Sequence, residues 1–63
     1  MNTETLRPLV LTVAQVANEL SLSRAKVYQL IYRDGLPTVR FGTALRVRYS
    51  ALQEWLEKRE QVA

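Results

Sequence analysis

Apolar residues recur along this chain at two different periods. Val13, Val16, Ala17 and Leu20 fall at i, i+3, i+4, i+7, the spacing that lines one face of a helix. Thr12 stands just before them and Gln15 three residues after it, the T-x-x-Q spacing of a capping box, so a first helix is expected over about 13–20. Ser21-Leu22-Ser23 interrupts the pattern, with Leu22 expected to be buried between two helices. Ser23 suits an N-cap, because its hydroxyl oxygen can accept from a free N–H of the next turn. Val27, Leu30 and Ile31 then resume the helical spacing and predict a second helix over about 24–33. Gly35 is a natural residue to follow that helix, and Pro37 keeps it from resuming.

Beyond Pro37 the period drops to two. Val39, Phe41, Leu45 and Val47 alternate with Arg40, Arg46 and Arg48, and Gly42-Thr43-Ala44 lies between the two runs. This predicts a β-hairpin with an apolar face and an outer face shared by the three arginines. A lone hairpin is unstable in water, so its apolar face is expected to pack on the helices. Ser50 is expected to cap a third helix, with Gln53 at the capping-box spacing and Leu52, Trp55 and Leu56 as the apolar stripe. Trp55 is read as core, and Lys58 and Arg59 as solvated. The order is helix, helix, hairpin, helix: a mainly α domain with a small β-hairpin. It is expected to span residues 9–61, after a flexible lead-in over residues 1–8.

Composition removes several function classes. In 63 residues there is neither a cysteine nor a histidine, so disulfides, thiolate or imidazole zinc sites and a histidine base are all excluded. The six acids are scattered, with no metal-ligand spacing and no phosphate-binding glycine loop. The chain is therefore not expected to be an enzyme, to carry a cofactor or metal, or to bind a small molecule. No apolar run approaches the ~20 residues of a membrane span, and the first residues do not resemble a signal peptide. The expected compartment is the cytoplasm. A chain this short buries only about 60% of the surface its unfolded form exposes, so its stability is expected to be modest.

Charge is more informative. The formal net charge is +3, but residues 23–48 hold six basic side chains (Arg24, Lys26, Arg33, Arg40, Arg46 and Arg48) against Asp34 alone. The segments on either side each carry one more acid than base. A basic field concentrated in mid-chain suits a polyanion, nucleic acid first.

Two short helices joined by a tight turn, the second one basic and followed by a basic hairpin, make a winged helix-turn-helix. With Val27, Leu30 and Ile31 turned to the core, the outer face of the second helix keeps Arg24, Ala25, Tyr28, Gln29, Tyr32 and Arg33, with Lys26 at its margin. Arg24 suits a phosphate or the O6/N7 edge of guanine, and Gln29 pairs bidentately with adenine. Tyr28 offers a hydroxyl to a phosphate and a ring to a thymine methyl. Ser23 and the N–H groups at the helix start suit one phosphate. Arg40, Arg46 and Arg48 exceed what protection of a sheet edge requires and suit a phosphate backbone or minor groove.

These motifs resemble a known family. Leu11-Thr12-Val13-Ala14-Gln15-Val16-Ala17 is similar to the LTxxEVA opening of excisionase-type, MerR-like winged helix-turn-helix domains. Ser23-Arg24-Ala25-Lys26-Val27-Tyr28-Gln29-Leu30-Ile31 is similar to their SRxTVYRLI helix. Gly35-Leu36-Pro37 and Val39-Arg40-Phe41-Gly42 resemble GxLPAVRIG, and Leu45-Arg46-Val47 with Ala51-Leu52-Gln53-Glu54-Trp55-Leu56 resembles the VRI…ALEEWL ending. The sequence departs from the family at the hairpin tip, Thr43-Ala44, where relatives often carry basic residues, and at Lys26, where a threonine is usual.

The resemblance implies that the second helix enters the major groove and the hairpin lies against the adjacent minor groove or backbone. It implies an excisionase of a phage or integrative element. Such a protein binds repeated sites beside an attachment site, bends the DNA and helps a tyrosine integrase excise, with neighbouring copies of itself alongside. A small transcriptional regulator would use the same surface. A protein-interaction module is the reading of another class, and a flat salt response would favour it.

Overall fold

The computed structural model describes residues 8–60; most of the lead-in expected over residues 1–8, and residue 61 of the expected domain, lie outside the described residues, while Pro8 is exposed. The elements run β1 (Val10–Thr12), α1 (Val13–Leu20), α2 (Arg24–Arg33), β2 (Val39–Phe41), β3 (Ala44–Arg48) and α3 (Tyr49–Arg59). Three helices and a small antiparallel sheet therefore build a winged helix-turn-helix.

Both expected caps of the first two helices form. The Gln15 N–H donates to the Thr12 hydroxyl at 3.0 Å and the Thr12 N–H to Gln15 Oε1 at 2.9 Å, a complete capping box. The Lys26 N–H donates to the Ser23 hydroxyl at 3.1 Å. The turn between α1 and α2 contains no glycine, and Ser21 takes the left-handed conformation, φ 57° and ψ 43°. The Ser21 and Leu22 N–H groups then reach back to the carbonyls of Asn18 and Ala17, closing α1 by the Schellman pairing. Leu22 is 39% exposed, which corrects its expected burial. Its backbone closes the helix while its side chain remains outside. After α2, Gly35 turns left-handed at φ 76°, and the Leu36 N–H returns to the Leu30 carbonyl, seating Leu36 in the core.

The sheet has the order β1-β3-β2, with both pairings antiparallel. The third strand, β1, extends the expected hairpin. It places Leu11 opposite Val47, and both are buried. The core comprises Leu11, Val13, Val16, Ala17, Val27, Leu30, Leu36, Val47 and Leu52, with Leu20, Ile31, Leu45, Tyr49 and Trp55 packed against it.

The hairpin register overturns the expected division of its faces. Phe41 pairs with Ala44 across a two-residue turn, Gly42-Thr43, rather than a three-residue one. Gly42 has φ 62°, as the first position of a type II′ turn requires. Removing one residue from the turn reverses the phase of one strand relative to the other. Val39 therefore lies opposite Arg46 and Arg40 opposite Leu45. Directly opposed residues share a face. Phe41 and Val39 thus join Arg46 and Arg48, and Arg40 lies on the face of Leu45 and Val47. On edge strand β2, Arg40 remains exposed.

The third helix begins at Tyr49, one residue earlier than the expected cap at Ser50, and has no side-chain cap. β3 runs directly into it, and the Tyr49 N–H donates to the Leu9 carbonyl at 2.9 Å. Gln53 turns to the Tyr49 hydroxyl at 3.3 Å instead of boxing with Ser50. Leu52 is buried and Trp55 half-buried, but Leu56 is 38% exposed, so the expected stripe stops at Trp55. The Trp55 indole N–H donates to the Asp34 carbonyl at 3.2 Å, and the Arg59 guanidinium lies over the Trp55 ring at 4.5 Å.

Candidate nucleic-acid interface

An open cleft of about 300 Å³ lies where the start of α2 faces the tip of the hairpin. Arg24 and Tyr28 line it from α2, Thr43, Ala44, Leu45 and Arg46 from the hairpin, and Thr12, Val13 and Ala14 from the junction of β1 with α1. Each wall has a local cause. The Ser23 cap fixes where α2 begins and so where Arg24 stands. The pairing of β3 with β1 sets Arg46 opposite Thr12, on the same sheet face. Arg46 is half-buried, and its Nη1 donates to the Leu45 carbonyl at 2.9 Å, which holds the guanidinium along its strand.

The outward surface of α2 carries the other residues expected on it. Ala25, Lys26, Gln29, Tyr32 and Arg33 are exposed, beside Val27 and Leu30, which are buried. Arg24, Tyr28 and Tyr32, four residues apart in turn, form one stripe along the helix. The Tyr28 and Tyr32 rings are stacked, with centroids 6.2 Å apart and planes within 7°. Ser23 is exposed, and its hydroxyl oxygen is engaged by the Lys26 N–H. The N–H groups at the very start of α2 precede the first intrahelical bond, from the Val27 N–H to the Ser23 carbonyl.

The three hairpin arginines do not converge. Only Arg46 lines the helix–hairpin cleft. Arg40 lies on the other sheet face. Arg48, opposite Val10, borders a groove with Pro37, Thr38, Val39 and Ala51, and another with Leu9, Val10, Phe41 and Tyr49. Thr12, Val13, Ala14 and Thr43 were not foreseen as part of the cleft. The available signal was Gly42, whose place at the head of a two-residue turn puts Thr43 at the hairpin tip.

A basic second helix presenting an uncovered polar and aromatic face, with an arginine-bearing hairpin beside it, defines the class as a helix-turn-helix protein with a wing. The chain belongs to the family described as "Helix-turn-helix domain", whose model matches residues 10–60. It is similar to two proteins of Mycobacterium tuberculosis, from strains CDC 1551 / Oshkosh and H37Rv, each bearing the name "Putative DNA-binding protein". Identity to each is 42% over 48 residues, which is 76% of this chain and 62% of the relative. The chain thus spans a little over three fifths of the length of the curated relatives it matches. No solved structure matches it. Among the described residues, no helix is long and apolar enough to cross a membrane.

Proposed function

We propose that this chain is a sequence-specific DNA-binding protein that acts as an excisionase. The observation that carries the DNA reading is the convergence of Arg24, Tyr28 and Arg46 on one cleft between α2 and the hairpin. An α-helix fits the major groove of B-DNA, and α2 presents its exposed face as such a helix would. In that pose Arg24 and Gln29 meet base edges, and Lys26 and Arg33 flank them with charge. Arg46 reaches the adjacent backbone or minor groove. The name borne by the two mycobacterial relatives supports the same reading.

The excisionase role rests on the sequence resemblance described above. In it the protein bends DNA beside an attachment site and recruits a tyrosine integrase. Several copies on adjacent repeats convert weak single contacts into tight binding through effective concentration. The test mixes the purified protein with sheared DNA from its source, recovers the bound fragments and sequences them. Enrichment of short repeats flanking an integrase attachment site is the expected result. Enrichment at promoters alone assigns the same surface to a transcriptional regulator. No enrichment, even at low salt, overturns the DNA reading in favour of a protein-interaction module.

A further inference from the structure

Tyr28 and Tyr32 stand on the outward surface of α2 with 43% and 68% of their surfaces exposed, beside residues that are otherwise charged, polar or small. A hydroxyl for a phosphate would be supplied as well by serine or threonine, without leaving two aromatic rings in water. The rings are parallel to within 7° and 6.2 Å apart, so together they form an apolar strip along the helix axis, and Tyr28 carries it into the cleft beside Arg24. Within the major groove, the apolar group on the base edges is the C5-methyl of thymine. Successive bases on one strand rise 3.4 Å along the axis and turn by about 36° about it, so the methyls of adjacent thymines are separated by roughly 5 Å, close to the spacing of the rings.

From this we infer that the Tyr28–Tyr32 pair reads methyl-bearing pyrimidines, two adjacent thymines on the same strand. Each ring covers one methyl, while Arg24 and Gln29 address the hydrogen-bonding edges of neighbouring bases. The proposal rests on the DNA reading above and names the chemical feature recognised by that same surface. It also makes the protein sensitive to a group that base pairing ignores, since uracil pairs as thymine does but lacks the methyl.

The test begins with a random-sequence duplex library containing thymine, from which the full-length protein selects its preferred sequences. Two adjacent thymines are expected among them. The selected duplex is then made again with uracil at those two positions, and both forms are titrated with the protein. Loss of about fourfold in affinity per methyl is expected, roughly fifteenfold for the pair. Tyr28→Phe with Tyr32→Phe should keep this discrimination. Tyr28→Ala with Tyr32→Ala should abolish it while salt-dependent binding to unselected DNA persists, with circular dichroism confirming the fold. Equal affinity of the native protein for the thymine and uracil duplexes overturns the methyl-reading proposal and leaves the DNA reading intact. Absence of binding to either duplex at low salt overturns both.

Discussion

Ser21 occupies a backbone conformation that costs an L-residue on the order of 1 kcal/mol, and it does so because the turn between α1 and α2 must reverse within three residues. Ser21→Gly is expected to raise the unfolding free energy by ~0.5–1 kcal/mol, the strain relieved being partly offset by the freer unfolded chain. Urea denaturation measures it, and a lower midpoint at constant slope would refute the strain. A turn was legible here because the helical spacing stops at Leu20. Which residue would twist left-handed was not, since serine carries no glycine-like signal. The same closure explains Leu22, whose N–H is committed to Ala17 while its side chain remains outside. At the interface, Arg24 is the residue on which the base-reading assignment turns. Arg24→Ala is expected to cost about 1–3 kcal/mol on the preferred sequence and to relax the preference there. Unchanged affinity in a titration of specific DNA would remove it from the reading surface.

Helices α1 and α2 could be read from the sequence to the residue, because each has a side-chain cap and an apolar face of regular spacing. The hairpin could be read only as an element. Its two strands alternate cleanly, but alternation leaves their relative phase open, and that phase depends on a single residue in the turn. The observed register makes a sharp distinction between two residues that the alternation alone would treat alike. Val47→Ala, at a fully buried position, is expected to destabilise by about 1–2 kcal/mol, whereas Phe41→Thr, at a position 58% exposed, should stay within about 0.5 kcal/mol. Comparable large losses in thermal unfolding would mean that Phe41 faces the core after all. The third helix departed from expectation at its start, which is fixed by strand pairing, and in its apolar stripe, which stops at Trp55. The bond from the Trp55 indole to the Asp34 carbonyl ties α3 to the close of α2. Trp55→Phe keeps most of the ring and loses that donor, so a cost of about 1 kcal/mol is expected in denaturant unfolding. No measurable change would show that the bond contributes nothing.

On the scale of the whole molecule, charge and fold coincide. The mid-chain basic segment supplies α2 and the hairpin, while α1 and α3 carry Glu19, Glu54 and Glu57. If Lys26, Arg33 and Arg46 each neutralise one phosphate, the logarithm of affinity should fall against the logarithm of salt with a slope of roughly −2.7. Arg46→Ala should reduce that slope by about 1 and weaken all sequences alike. A loss confined to one sequence would make the wing a reader of bases. Element order and the polyanion-facing side were legible from spacing and charge. β1 was not, since three residues are too few for alternation to register and Thr12 already reads as a helix cap. That short strand also governs when the protein can fold. Leu11 pairs with Val47, so the central strand joins residues from distant parts of the chain. Such pairing must meet its loop-closure entropy before it gains any contact. During synthesis, α1 and α2 can flicker into helix early, but the core that holds them closes only after β3 has left the ribosome. Folding should therefore be a single late event, and a chain arrested before Val47 should remain open to proteases and unable to hold α2 for any partner.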